Sequence, residues 1–156
     1  LHFTPELLQK LAAEGVRTLF VTLHIGPGTF APLRSHEVEA HSMEGEFYTI
    51  PESTADALAH ARRIGSRVIA VGTSSVRALE SYAVTGDLEG LTGLFIYPGF
   101  RFKLVEGMIT NFHMPRTTVL AMAMAFGGRE LILGGYREAI RHRYRFLSYG
   151  DGMLIL

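Results

Sequence analysis

The stretch RVIAVGTSSVRALESYA, residues 67–83, decides the fold of this chain. Residues 67–72 form an apolar run rich in Val and Ile, which is typical of a parallel strand buried on both faces. Residues 73–83 open with three hydroxyl residues, which cap helices well, and continue as a helix. A buried strand that leads directly into a helix is the repeating unit of an α/β fold.

Helix and strand patterns alternate along the rest of the chain. Prolines at helix starts and glycines at helix ends mark the boundaries. We predict helices at 5–14, 52–64, 114–128 (begun by Pro115) and 129–142, and strands at 16–23, 47–50, 93–99, 106–113 and 152–156. This order predicts one α/β domain portion over residues 1–156, with a mostly parallel sheet flanked by helices. Because the chain begins LHFTPELL, with no methionine before its first helix, we expect it to be a piece of a longer protein.

The composition excludes several classes of protein. Hydrophobic residues make up 47% of the 156 residues and charged residues 19%, which argues against a disordered chain. The absence of cysteine excludes disulfides, thiolate zinc sites and cysteine nucleophiles, and it agrees with a cytoplasmic location. Fifteen basic residues balance fifteen acidic ones, so the net charge gives no sign of a nucleic-acid partner. No apolar run is long enough for a transmembrane helix, and no secretory signal is visible.

Polar residues follow three of the predicted strands at the point where each strand ends. His24 follows the first, Thr73-Ser74-Ser75 follows the strand at 67–72, and Asn111 and His113 end the strand at 106–113. The carboxyl ends of parallel strands share one edge of a sheet, so we expect these groups to meet in one cleft. The glycine-rich segment after His24, with Gly26, Gly28 and Thr29, is either a loop of that site or a stiff turn.

The start of the helix at 73–83 is a candidate anion site. Unpaired backbone N–H groups there attract phosphate or carboxylate, and Gly72 allows a ligand to approach the backbone. The alternative is ordinary helix capping by Thr and Ser. The spacing does not match a P-loop or a G-x-G-x-x-G dinucleotide motif.

Three further groups of residues carry alternatives. The histidines at 24, 36, 41 and 113, with Glu44 or Glu46, are candidate zinc ligands, but their spacing favours hydrogen bonding. The segment EGEFY, 44–48, places two carboxylates on one side of an extended chain, where one is either a general base or part of a solvated edge. The basic groups RFK, 101–103, and RHRYR, 141–145, either bind RNA or complement a helix dipole.

Seven motifs occur here in one order: LHFTPELL, VTLHIGPGTFAPL, HSMEGEFY, RVIAVGTSSVRALES, FIYPGFRFK, ITNFHMPRTTVL and YRFLSYGDGMLI. Together they strongly resemble the S-adenosylmethionine:tRNA ribosyltransferase-isomerase family of queuosine biosynthesis, over essentially the whole chain. The chain departs from the family pattern H-x-M-H-S-E at its second histidine, where it has Glu44.

The resemblance implies an enzyme that attaches the ribosyl part of S-adenosylmethionine to 7-aminomethyl-7-deazaguanine in a tRNA anticodon. Isomerisation of the sugar gives epoxyqueuosine, and adenine and methionine leave. S-adenosylmethionine is then a co-substrate, and no prosthetic group or metal is expected. The resemblance also implies the later part of an α/β domain, without the family's inserted β-barrel, and we expect a monomer. The rival interpretations are an inactive nucleotide-binding module of the same fold and a metal-dependent hydrolase.

Residue type and motif position suggest roles in this reaction. The candidate bases that remove a proton beside the sulfonium are His41, Glu46, His113 and His24. Asn111 or His113 would assist the departure of adenine, and Asp151 would face the aminomethyl cation. Candidate contacts to S-adenosylmethionine are Gly26, Gly28, Thr29, Gly72, Thr73, Ser74, Ser75, Arg77 and Arg116. Candidate contacts to tRNA are Arg101, Lys103 and Arg145.

Overall fold

The computed structural model describes residues 1–26 and 38–156. Five α-helices lie within these ranges: α1 (Pro5–Ala13), α2 (Glu52–Ile64), α3 (Thr73–Thr85), α4 (Thr118–Gly127) and α5 (Arg129–Arg141). Six strands accompany them: β1 (Thr22–Leu23), β2 (Glu46–Thr49), β3 (Ile69–Val71), β4 (Glu89–Thr92), β5 (Gly107–Asn111) and β6 (Gly152–Ile155). A short 3₁₀ helix, Val38–Ala40, precedes β2.

The strands form two small sheets, and this confirms the predicted α/β class. One sheet has the order β1-β2-β4 and is antiparallel, whereas the other has the order β3-β5-β6. Of the described pairings, only β3 with β5 is parallel; helix α3 and strand β4 lie between these two strands and provide the crossover that a parallel pair requires. Strand β6, which follows α4 and α5, pairs with β5 antiparallel. The parallel order that we predicted for most of the sheet therefore holds for this one pairing.

Several predicted boundaries are wrong, for identifiable reasons. Residues 93–99 are not a strand; the pairing segment is β4, which precedes them, although Ile96 is buried as its apolar character suggested. Only the last two residues of the predicted strand 16–23 pair with a neighbour. Helix α4 does not begin at Pro115, because Arg116 has a left-handed backbone (φ 59°) that interrupts a helix. The Thr117 hydroxyl caps α4 instead, accepting a hydrogen bond from the Leu120 amide.

The other helices begin where the sequence signals predicted and end within two residues of the predicted positions; α3 continues to Thr85, past the predicted end at 83. Thr4 caps α1 with Pro5 in the first turn, and α2 ends at Gly65, whose φ of 68° suits glycine. Gly72, with φ 85° and ψ 148°, allows the sharp change of direction from β3 into α3.

The core that supports this arrangement lies between the sheets and the helices. On β3, β5 and β6 the paired residues Ala70, Met108 and Ile155 are all buried. Val76 of α3 is also fully buried, so α3 is held firmly against the sheet. Within the described ranges no single helix is both long and apolar enough to cross a membrane; α4 and α5 would qualify only together, and they bend by 113°.

Candidate functional site

The carboxyl ends of β3 and β5 lie side by side, as the sequence predicted for this pair. Val71 is opposite Ile109, and the Gly72 amide donates a hydrogen bond of 2.8 Å to the Ile109 carbonyl. The first turn of α3 therefore begins beside the polar end of β5 that carries Asn111. His24 lies elsewhere: it is exposed, it follows β1 in the other sheet, and its amide donates to the Phe47 carbonyl.

Two helix starts share one small cavity. Thr73 and Ser74 begin α3, Thr118 and Val119 begin α4, and all four line a cavity of about 10 Å³, which is room for about one water-sized group. Both helices present the positive end of their dipole there. Side chains that complete the lining are Met43, Arg77, Phe95, Ile96 and Met122. The cavity therefore combines two helix N-termini, which attract anions, with mostly apolar side chains on its remaining wall.

A buried ion pair lies behind this cavity. Arg77 of α3 and Glu46 of β2 are joined directly, and each side chain is only 3% exposed. Glu46 Oε1 also accepts a hydrogen bond of 2.7 Å from the Gly26 amide. Arg77 Nε donates to the Leu94 carbonyl at 3.2 Å. The pair thus ties the segment after β1, strand β2 and helix α3 together beside the cavity.

His41, one of the predicted bases, packs on a residue that lines the cavity. It follows the 3₁₀ helix, is half-buried, and places its ring edge-to-face on Phe95 with the centroids 5.0 Å apart. Phe95 itself lines the cavity. One aromatic ring therefore separates the imidazole from the two helix starts. Glu44, three residues later, is exposed.

A second polar cluster surrounds the end of β5. Asn111 Nδ2 donates to the carbonyls of Gly150 (3.4 Å) and Asp151 (3.2 Å). The Asp151 carboxylate accepts a hydrogen bond of 2.7 Å from the Arg145 amide. His113 Nε2 shares a hydrogen bond of 2.8 Å with the Thr110 hydroxyl. The segment containing Asp151 is thus fastened to the polar end of β5.

Burial controls the titration of this cluster. It lowers the pKa of His113 from 6.5 to about 4, so the imidazole is neutral at neutral pH. Burial also raises the pKa of the Tyr136 phenol, and the hydrogen bond from the His113 amide opposes that shift. His113 can therefore accept or donate a hydrogen bond at pH 7, but it carries no positive charge.

The lowered pKa of His113 predicts an acid-sensitive fold. In the unfolded chain His113 titrates near 6.5, so between this value and about 4 the unfolded state binds more protons than the folded state. The free energy of unfolding should fall as the pH drops through this window, by about 3 kcal/mol at pH 4. Denaturant unfolding of the wild type and His113→Gln at several pH values measures this contribution. The fall in stability should be smaller in His113→Gln by this contribution, whereas exposed His60→Gln should match the wild type; equal profiles for all three proteins would contradict the assignment.

The candidate RNA contacts lie on the surface. Arg101 and Lys103 are exposed in the segment before β5, and Arg145 is exposed with its Nε 3.9 Å from the Asp151 carboxylate. Arg116, proposed for the S-adenosylmethionine carboxylate, is also exposed, at the left-handed position before α4. These four cations are accessible to an anionic partner.

Some predicted residues are not tested by this geometry. Gly28, Thr29 and the zinc candidate His36 lie outside the described residues. Across residues 1–26 and 38–156, no three His, Asp or Glu side chains lie close enough together to hold a metal ion. Ser75 follows Ser74 in the first turn of α3 and is half-buried.

Sequence reasoning missed Phe95, Thr118 and Glu80. Glu80 is fully buried in α3 and accepts hydrogen bonds from the amides of Lys103 (2.8 Å), Leu104 (3.0 Å) and Val105 (2.9 Å). Its position beside Val76 and Leu79, on the apolar side of the helix, is the signal that could have identified a buried carboxylate. The two threonines after Pro115 likewise indicate a helix cap. No sequence signal singles out Phe95.

Comparisons with known proteins agree with the resemblance. Residues 1–155 match the family model described as "Queuosine biosynthesis protein". Curated relatives named S-adenosylmethionine:tRNA ribosyltransferase-isomerase include those of Thermotoga maritima (51% identical) and Aquifex aeolicus (52% identical). Each match includes 100% of this chain but only 48% and 46% of the relative, so the chain spans about half the length of these proteins.

A solved structure gives the same result for the fold. The crystal structure of S-adenosylmethionine tRNA ribosyltransferase from Thermotoga maritima superposes with a TM-score of 0.82 at 46% identity. The alignment covers 99% of this chain and 50% of that one. A family match over nearly every residue, relatives at about half identity and a shared fold lead to one conclusion: this chain belongs to the queuosine biosynthesis protein family.

Proposed function

We propose that the protein transfers the ribosyl part of S-adenosylmethionine to 7-aminomethyl-7-deazaguanine in a tRNA anticodon and isomerises it. The product is epoxyqueuosine-tRNA, and adenine and methionine are released. The observation that carries this proposal is the family match over residues 1–155 together with the names of the relatives. The arrangement of His41, Phe95 and the two helix starts supports it, because the reaction needs a base beside a site for a charged small molecule.

We assign the role of general base to His41. The sulfonium acidifies the protons on the sugar's 5′ carbon, so a well-placed imidazole suffices to remove one. His41 is half-buried and contacts the wall of the cavity. Glu46, the other candidate kept from the family pattern, is buried in its ion pair with Arg77, which favours a structural role for that carboxylate. His24 is exposed and on the other sheet, which makes it the weaker choice.

We assign the carboxylate of the methionine group to the two helix starts. The amides after Gly72, with the hydroxyls of Thr73 and Ser74, offer donors to an anion, and the α4 dipole adds to the field. The small volume of the cavity suits a carboxylate oxygen rather than a whole ligand. Arg77, which lines the cavity, contributes positive charge while it remains paired with Glu46, and we propose exposed Arg116, just before α4, as a further contact to this carboxylate.

We propose that the polar cluster at the end of β5 assists the departure of adenine. His113 is neutral at pH 7, so we propose that it hydrogen-bonds the purine ring and does not protonate it as an imidazolium. Asn111 holds the backbone around Asp151 in place, and Asp151 would face the aminomethyl cation of the tRNA base. Asp151 would thus pair with a positive charge, and His113 would form a hydrogen bond with the purine ring.

The exposed cations before β5 predict the salt dependence of tRNA binding. Replacing Arg101 and Lys103 by alanine should weaken tRNA binding at every salt concentration. It should also flatten the plot of log affinity against log salt by about 0.7 to 0.9 per lost phosphate contact. Filter binding of tRNA from low to high salt measures this slope. The matched control is Arg62→Ala with Arg63→Ala, two exposed arginines in the last turn of α2. Equal slopes for both double variants would remove Arg101 and Lys103 from the interface.

The direct test uses the full natural protein, S-adenosylmethionine and tRNA that carries 7-aminomethyl-7-deazaguanine. Free adenine is assayed, and the digested tRNA is analysed by mass spectrometry. Equal amounts of adenine and epoxyqueuosine nucleoside are expected. The alternative function is an S-adenosylmethionine-binding module of the same fold without catalysis, and the Glu44 departure favours it. Folded protein that binds S-adenosylmethionine but forms neither product would support that alternative.

A further inference from the structure

We propose that an open aromatic cavity beside the two helix starts binds the target base of the RNA by stacking. Its lining is formed by Phe95, Tyr97, Pro98, Gly99 and Phe100, and its volume is about 330 Å³. This inference rests on the proposed function and identifies residues that hold its RNA substrate. The ligand class is a single-stranded nucleotide whose base has left its stack.

The cavity adjoins the candidate catalytic centre through one shared side chain. Phe95 lines both cavities, contacts His41 on one side and packs against Tyr97 on the other, with ring centroids 5.2 Å apart. Flat nucleobases stack on half-exposed aromatic rings of this kind. A base stacked on Tyr97 would therefore lie beside the ring that contacts Phe95, and Phe95 in turn contacts the His41 imidazole and lines the cavity where the ribosyl donor is proposed to bind.

A tight turn forms the wall between the two outer rings. The Phe100 amide donates to the Tyr97 carbonyl at 3.0 Å, Pro98 occupies the second position, and Gly99 has φ 105°. Proline followed by a glycine of positive φ is the pattern of a type II turn. A Cβ placed on Gly99 would meet no atom within 4 Å, so the backbone there is open to an approaching ligand. The cavity wall is thus fixed before any ligand arrives, which lowers the cost of ordering it.

Charge at the rim favours RNA over an uncharged or acidic partner. Arg101 directly follows Phe100, Lys103 comes two residues later, and both are exposed. The backbone at Lys103 is held by buried Glu80, which accepts hydrogen bonds from three successive amides at 103–105. Phe100 also packs edge-to-face on Phe102, at 5.0 Å. Cations fixed beside a stacking surface bind the phosphates of a single strand while its base enters the cavity.

The test compares two anticodon stem-loop RNAs in binding to the full natural protein. One carries 7-aminomethyl-7-deazaguanine, and the other is abasic at that position. The wild type should bind the first RNA more tightly. Tyr97→Ala should lower the affinity for that RNA by about 5- to 150-fold and leave the affinity for the abasic RNA unchanged. Tyr97→Phe should keep the preference, because the ring is kept. Phe100→Ala, as a second variant, should also reduce the preference, and Phe20→Ala, an exposed aromatic outside both cavities, should not.

The opposite results separate this inference from the proposed function. Equal losses for both RNAs in Tyr97→Ala, or a loss in Tyr97→Phe, would overturn the stacking site. The stacking site would also be overturned if Tyr97→Ala keeps the RNA preference but has a raised KM for S-adenosylmethionine. That result would assign the cavity to the adenine of S-adenosylmethionine. Adenine release by a wild type that does not distinguish the two RNAs would overturn only the inference. No adenine release and no RNA binding by the folded wild type would overturn the proposed function as well.

Discussion

Replacing His41 by alanine is expected to lower turnover by about two to four orders of magnitude, the range that a general base contributes. The affinity for S-adenosylmethionine should change little, because the proposed contacts to that molecule are the helix starts of α3 and α4 rather than the imidazole. The His41 ring packs edge-to-face on Phe95, which lines this region. The loss should therefore appear in kcat with the Kd for S-adenosylmethionine nearly constant.

The measurement combines adenine release with calorimetric binding of S-adenosylmethionine to the full protein. His60→Ala is the matched control, since His60 is an exposed histidine on α2 outside both cavities. If His41→Ala turns over at a rate near that of the control, His41 is not the base. In that case Glu46 would be tested next, with the stability of the variant measured first.

Breaking the buried pair of Arg77 and Glu46 is expected to have the largest effect on stability. Arg77→Met removes the buried guanidinium that pairs with the Glu46 carboxylate, and such changes cost about 3 to 5 kcal/mol. The free energy of unfolding from denaturant titration measures the loss. The double variant Arg77→Met with Glu46→Leu removes both charges and should recover part of it. Recovery should be incomplete, because the Gly26 amide then loses its acceptor.

The matched control for that experiment is an exposed pair. Arg141 and Glu138 of α5 form an ion pair at 2.6 Å with side chains 69% and 60% exposed. Arg141→Met should cost less than about 1 kcal/mol, because solvent screens the pair. A loss in Arg77→Met no greater than in Arg141→Met would contradict the buried-pair assignment.

Local signals predicted the helices well and the strands less well. The end of α2 follows from Gly65, and the start of α3 follows from Gly72 and the hydroxyl residues after it; both signals act within a few residues. The segment at 93–99 is apolar for a different reason: it carries Ile96 into the core and lines two cavities without pairing as a strand. An apolar segment is predicted to be buried, but its hydrophobicity does not show whether its backbone forms hydrogen bonds with a neighbouring strand.

The sequence predicted the part of the candidate site that lies at the ends of strands. It did not predict the contact between side chains that are far apart in the chain. The adjacency of Thr73 and Asn111 follows from the parallel order of β3 and β5. The joining of Glu46 to Arg77, 31 positions apart, has no local signal. Motif resemblance singled out both residues as ligand or catalytic candidates, whereas the geometry pairs them with each other.

Helix α3 connects the proposed binding sites of the two substrates. Its first turn, at Thr73 and Ser74, faces the small cavity, whereas Glu80 holds the segment that carries Arg101 and Lys103. Glu80 lies six positions after Ser74, which corresponds to a rise of about 9 Å along the helix axis. Under the proposed function, the spacing between the bound donor molecule and the RNA backbone would depend on the rise of this helix as well as on the segment at 101–103. Both proposed binding sites would then be positioned relative to one rigid element.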